Sequence, residues 1–119
     1  MSKLFVIFML GCLILSCDRD KTVPSTVICD GEYTFAGDSN AVEPIIQLTC
    51  AISGCHVAGE GIGDFTNYKN ITSYIANGLF ESRAFDIKDM PPDYSTGPKQ
   101  LTEDELNQLK CWIQNGYPK

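Results

Sequence analysis

Two cysteines and the only histidine of the chain lie together in the segment Cys50-Ala-Ile-Ser-Gly-Cys55-His56. This order suits covalent haem attachment, in which each thiol adds across a porphyrin vinyl group and the following imidazole ligates the iron. The usual motif has two residues between the cysteines, whereas this one has four. On a helix, positions five residues apart point about 140° away from each other, so the segment must bulge. Ser53-Gly54 suits a bulge because glycine accepts backbone angles that other residues avoid.

Other chemistries fit this segment less well. Adjacent Cys55 and His56 can hardly both bend onto one tetrahedral zinc ion. The cysteines are too far apart for a thioredoxin-like dithiol, whose thiols are separated by two residues. The glycine-rich stretch 57–64 lacks the spacing and the lysine of a phosphate-binding loop.

Met90, followed by Pro91 and Pro92, is a second candidate iron ligand. A thioether is a soft, neutral ligand that binds iron only when its loop positions it, and two prolines restrict the backbone of such a loop. The alternative is a methionine that simply packs on the core. The haem motif 34 residues upstream favours the role of ligand.

Four helical segments are predicted to position these residues. Apolar side chains repeat at three and four residues from Val42 to Ile52, which predicts a helix that runs directly into the cysteines. A second helix is predicted from Asn67 to Ala76, with Asn77-Gly78 ending it. A short third piece is expected near Glu81 to Asp86.

The last helix has the clearest signals. Thr102 and Glu105 form a capping box, and the acidic first turn complements the helix dipole. An apolar stripe follows, with Trp112 beside it and Gly116 as the stop; the stripe consists of Leu106, Leu109 and Ile113. This stripe is interpreted as a packing face.

The N-terminus has the pattern of an export signal. A short cationic start precedes an apolar run from Leu4 to Leu15, which is too short to span a bilayer. The sequence Leu13-Ile-Leu-Ser-Cys17 resembles a bacterial lipobox, so residues 1–16 are expected to be removed and Cys17 to carry lipid. An ordinary signal peptide is the alternative. The expected location is the bacterial periplasm or cell envelope, with the lipid as the only membrane anchor.

Length and charge set the remaining bounds. Residues 17–40 are interpreted as a tether and N-terminal extension, and residues 41–119 as one small domain. Removal of residues 1–16 takes one lysine, leaving 8 basic and 15 acidic residues and a net charge of −7. Such acidity argues against nucleic acid and against electrostatic binding to anionic membranes.

Four cysteines remain once Cys12 is removed and Cys17 is lipidated, namely Cys29, Cys50, Cys55 and Cys111. Free thiols rarely persist in an oxidising compartment. If Cys50 and Cys55 hold haem, the other two form a pair; without haem, three pairings are open.

Together the motifs resemble a class I cytochrome c domain over about residues 40–117. The resemblance lies in the order of a helix, Cys50…Cys55-His56, Phe65-Thr-Asn-Tyr68, Met90-Pro-Pro92 and Leu101-Thr-x-x-Glu105…Trp112-Ile-x-Asn-Gly116. It implies thioether links at Cys50 and Cys55, His56 as the proximal iron ligand and Met90 as the distal one. It departs from the family in the four-residue gap between the cysteines.

The resemblance implies an all-α fold of three to four helices around one covalently bound haem c. Because the first and last helices of class I cytochromes pack together, it also implies a disulfide between Cys29 and Cys111. The expected function is one-electron transfer to redox proteins of the cell envelope. With both axial positions filled, no enzymatic activity and no small-molecule substrate are expected. The alternatives are a non-haem, disulfide-stapled lipoprotein that acts as a binding or structural module, and a haem enzyme or gas sensor in which Met90 does not ligate.

Overall fold

A computed structural model of the protein describes residues 27–37 and 39–119. The predicted signal peptide of residues 1–16 and the lipidation site Cys17 lie outside these residues. The described part is a small helical fold whose elements are α1 (Glu43–Thr49), α2 (Tyr68–Ala76), α3 (Leu79–Glu81), a π-helical turn (Ser82–Asp86) and α4 (Glu103–Gln114). It contains no β-strand, only an isolated bridge between Thr34 and Ala41. The predicted all-α class is therefore confirmed for this part of the chain.

Helix α1 is shorter than its apolar repeat predicts. Pro44 lies in its first turn, and Ile45, Ile46 and Thr49 are buried. The helix ends at Thr49 because the carbonyl of Ile46 accepts hydrogen bonds from both Cys50 N–H (2.9 Å) and Ala51 N–H (2.8 Å). The second bond widens the last turn and ends the regular ladder. The apolar repeat reaches three residues further, to Ile52, but the helix runs directly into Cys50, as predicted.

Helix α2 agrees with its predicted limits. The Asn67 side chain caps it by accepting from Asn70 N–H at 3.1 Å, and Ile71 and Ile75 face the core. Gly78 follows with φ +75°, in the left-handed region that glycine tolerates. The chain then turns directly into α3, so the third helical piece begins at Leu79, two residues earlier than predicted.

Helix α4 begins with the predicted capping box. Glu105 N–H donates to Thr102 Oγ1, and the Glu105 carboxylate accepts from Thr102 N–H at 2.8 Å. The helix buries four side chains, Leu106, Leu109, Cys111 and Trp112. Trp112 is fully buried, and its indole N–H donates to the Pro118 carbonyl at 2.8 Å, so the C-terminus folds back onto α4. Trp112 packs in the core, as predicted.

The segment before α1 contributes to the same core. Phe35 is buried with its ring 6.0 Å from that of Trp112, and its N–H donates to the Pro118 carbonyl at 2.9 Å. Cys29 is joined to Cys111 by a disulfide, with 5.4 Å between the Cα atoms. The pair that the sequence favours when Cys50 and Cys55 hold haem is thus the pair that the structure contains. Both ends of the described chain are held against α4.

Candidate functional site

The segment Cys50–His56 folds into a compact turn at the end of α1. His56 N–H donates to the Cys50 carbonyl at 3.1 Å, and Cys55 N–H donates to the Ile52 carbonyl at 3.0 Å. Gly54 adopts φ +80°, so the bulge expected at Ser53-Gly54 is present. The backbone therefore brings the two ends of the motif together despite the two additional residues.

His56 is oriented by an aromatic stack. Its imidazole lies parallel to the Phe65 ring, at 1° between planes and 4.0 Å between centroids. Phe65 N–H donates to the His56 carbonyl at 2.9 Å, so backbone and ring are held by the same residue. Sequence reasoning placed Phe65 at a helix start and missed this contact, which no periodicity indicates.

The imidazole is in the form that binds metal ions. Burial lowers the pKa of His56 below its ordinary value, and the backbone of Gly63 and Ile62 opposes that shift in part. A lowered pKa means that the ring is neutral at pH 7, as ligation requires. The Nδ1 atom is buried without a hydrogen-bond partner in the described part of the protein. Such an orphaned atom is rare in native folds, because an unsatisfied buried polar group is costly.

Cys50 and Cys55 are both free thiols. Burial raises the pKa of the Cys50 thiol to about 11, while the Thr49 hydroxyl, 3.3 Å from its sulfur, opposes this shift. At neutral pH Cys50 is therefore protonated and weakly nucleophilic. Of the four described cysteines, two are joined to each other and the two of the motif remain available.

One cavity of about 300 Å³ contacts all four residues predicted to bind haem, namely Cys50, Cys55, His56 and Met90. Its wall is mainly apolar and comes from α2, α3, the π-helical turn and the loops beside them. Among the described residues that form this wall, only Arg83 is charged. Three of the apolar side chains that line it are exposed to solvent: Ile62 (53% exposed), Leu79 (45%) and Tyr94 (78%). The cavity thus brings together four predicted ligands that are up to 40 positions apart in the chain.

The glycine-rich loop shapes one wall of this cavity. Gly63 has φ +103°, and a Cβ atom built on it would lie 2.5 Å from the Tyr74 hydroxyl oxygen. Only glycine leaves room for Tyr74, which lines the cavity. Next in the chain, the Asp64 carboxylate accepts hydrogen bonds from Thr66 and Asn70, and these bonds lower the pKa of Asp64. They fix the start of α2.

Met90 is held by the residue before it. The Arg83 guanidinium donates from Nε to both Asp89 carboxylate oxygens, at 2.7 and 2.9 Å, and its Nη2 atom is also 2.7 Å from the carboxylate. This pairing lowers the pKa of Asp89 and raises that of Arg83. The sequence did not predict this pair, because oppositely charged residues six positions apart are not neighbours on a helix or across from each other in a strand.

No protein-family model, no characterised protein and no solved structure matches this chain. Within residues 27–37 and 39–119, no three His, Cys, Asp or Glu side chains converge closely enough to hold a metal ion. None of the helices in this part of the chain is both long enough and apolar enough to cross a membrane.

Proposed function

We propose that the protein is an exported c-type cytochrome that carries one electron at a time on a single covalently bound haem. The observation that supports this best is the convergence of Cys50, Cys55, His56 and Met90 on one apolar cavity. The sequence singles out these residues for their chemistry alone, before any contact between them is known. A shared cavity is what a cofactor bound by all four requires.

The side chains fit haem in three further respects. Both motif thiols are free while the other two described cysteines are paired. Burial lowers the pKa of His56, so its imidazole is neutral at pH 7, as iron ligation requires. The cavity wall is apolar, as the faces of a porphyrin are, and apolar surroundings exclude water from the iron.

Each residue has a distinct role in this proposal. The thiols of Cys50 and Cys55 add their sulfur and hydrogen across two vinyl double bonds, which forms thioethers with no net oxidation. His56 and Met90 would supply the imidazole nitrogen and the thioether sulfur that ligate the iron. Bound haem supplies a one-electron ferric/ferrous couple, and methionine ligation raises its potential. With His56 and Met90 both bound to it, the iron would have no open coordination site for a substrate, and we therefore propose no enzymatic activity.

A comparison of cysteine variants tests the covalent links. The protein is expressed with a bacterial c-type maturation system, denatured and extracted with acidic organic solvent. We expect the Soret absorption to stay with the wild-type polypeptide and to be extracted from Cys50→Ala/Cys55→Ala. The matched control, Cys29→Ala/Cys111→Ala, removes two cysteines of the same chain; although it should be less stable, it should retain covalent haem, because a thioether bond survives unfolding. Complete extraction from the wild type contradicts thioether attachment.

Variants of the axial residues test ligation. Once residues 1–16 are removed, Met90 is the only methionine and His56 the only histidine, so no other residue of either type can replace them. Met90→Leu should keep haem and lose the weak long-wavelength charge-transfer band of methionine-ligated ferric haem. A five-coordinate ferrous wild-type spectrum would instead indicate a haem enzyme or gas sensor. A wild type without a Soret band would indicate the non-haem, disulfide-stapled lipoprotein.

We further propose that the protein is anchored by lipid on Cys17 in the bacterial cell envelope and delivers electrons to redox proteins there. The support is the lipobox-like Leu13–Cys17 sequence and the acidity of the chain. Cys17→Ser should move the protein from the membrane fraction to the soluble fraction, since acyl chains provide about 0.8 kcal/mol per buried methylene. Unchanged membrane association of this variant contradicts the anchor.

A further inference from the structure

The chain between α3 and Met90 contains an unusual turn. Ile87 N–H donates to the Ser82 carbonyl at 2.9 Å, which gives the wide, five-residue spacing of a π-helix. Such wide turns occur frequently at functional sites. Here the turn brings Arg83 and Ala84 to the cavity wall.

A tight reversal follows the wide turn and leads to Met90. Lys88 adopts φ +58°, a left-handed conformation that residues with a side chain rarely adopt. Immediately after it, Asp89 N–H donates to the Arg83 carbonyl at 3.2 Å, while the Asp89 carboxylate accepts from the Arg83 guanidinium. Backbone and side chain of Asp89 are therefore both tied to one residue of the cavity wall. Met90 is the next residue.

Packing alone does not fix the Met90 side chain. Besides lining the cavity that is proposed to hold haem, Met90 lines a second cavity of about 190 Å³ with Lys88, Pro91 and Leu106. A side chain that has free space on that side, and the three rotatable bonds of methionine, has more than one accessible position. The anchoring of its backbone therefore determines which position it favours.

We propose that the Arg83–Asp89 ion pair positions Met90. The pair keeps the Met90 thioether directed to the cavity that Cys50, Cys55 and His56 also line, and external ligands therefore displace Met90 less easily. This inference rests on the proposed function. It assigns to Arg83 and Asp89 a role in ligation that neither performs directly. Both side chains are 41% exposed, so the effect should be modest and partly screened by salt.

Displacement of Met90 by imidazole measures this role. The ferric holoprotein is titrated with imidazole, and binding is followed by loss of the methionine–iron charge-transfer band. Asp89→Asn keeps the shape of the side chain and removes its charge, and we expect it to bind imidazole about threefold to fivefold more tightly than wild type. The matched control is Asp93→Asn, which makes the same charge change three residues beyond Met90 and should stay within about twofold of wild type.

A double variant separates the ion pair from a general charge effect. Arg83→Gln should raise the imidazole affinity as Asp89→Asn does, and the double variant should raise it no further, because either change alone already breaks the pair. Equal affinities of wild type and Asp89→Asn, or additive effects in the double variant, would overturn the inference. Guanidinium midpoints within experimental error of wild type verify that both variants are folded. If the wild type lacks the methionine band altogether, the proposed ligation fails, and the ion-pair inference fails with it. If the wild type has the band but the variants bind imidazole as it does, only the ion-pair inference fails.

Discussion

Replacing both Cys29 and Cys111 by alanine removes the covalent link between the N-terminal segment and α4. The two residues are separated by 82 positions, and the chain-entropy model gives about 4.5 kcal/mol of stabilisation for closing a loop of that length. Since domains of this size unfold with roughly 5–15 kcal/mol, the double variant should lose a large part of its stability. The corresponding fall in melting temperature is roughly 20–35 °C, at about 4–8 °C per kcal/mol.

Guanidinium unfolding followed by the fluorescence of Trp112, the only tryptophan, measures this loss. We expect a lower midpoint and also a larger m-value, because the unfolded chain without its cross-link exposes more surface. Reduction of the wild type should reproduce both changes. Asp30→Ala, in the exposed residue beside Cys29, is the control and should leave them unaltered. A loss below about 1 kcal/mol with an unchanged m-value would refute the assignment of this disulfide as the main link between the chain ends.

Three further substitutions test local features. Gly63→Ala should lower the free energy of unfolding by about 1–3 kcal/mol, because its Cβ would lie 2.5 Å from the Tyr74 hydroxyl oxygen. The control is Gly61→Ala, which also has a positive φ but no atom within 4 Å of its Cβ, and it should cost clearly less. Thr102→Ala removes the cap of α4 and should cost about 1 kcal/mol in the same unfolding assay. Asp64→Asn should weaken the fall in stability below about pH 4. The pKa of Asp64 is lower in the folded protein than in the unfolded chain, so its carboxylate stabilises the fold at pH values above the unfolded pKa. This stabilisation is lost as the pH falls through the folded pKa. Unfolding midpoints measured from pH 6 to pH 2.5 check the sign.

Helices α2 and α4, which begin with recognisable N-capping residues, were predicted correctly from the sequence. Asn67 and the Thr102/Glu105 capping box both mark helix starts, and α2 and α4 begin directly after these caps. Helix α1 runs directly into the cysteines, as predicted, but its apolar repeat continues to Ile52, which matches the spacing although the chain has already turned. Apolar periodicity predicts which side chains face the core, but it does not predict the extra hydrogen bond from Ala51 N–H that ends the helix.

The candidate site was predictable in its chemistry and not in its supports. Cys55, His56 and Met90 are recognisable by residue type and order, and one cavity contacts them all. The Phe65 stack and the Arg83–Asp89 pair depend on how separate loops meet. The geometry of both contacts depends on glycines with positive φ and on the π-helical turn. These backbone conformations are set by tertiary packing, which a single sequence does not reveal.

The disulfide also turns residues 29–111 into a closed covalent ring. The glycine-rich loop 57–64 lies inside that ring, and Gly59 and Gly61 are exposed. A protease that cuts there opens the ring without releasing a fragment, because the piece carrying Cys50 and the piece carrying Met90 remain joined through Cys29 and Cys111. Both walls of the cavity therefore stay in one molecule after a single cut. A single cut in the loop therefore does not separate the residues of the site unless the disulfide is also reduced.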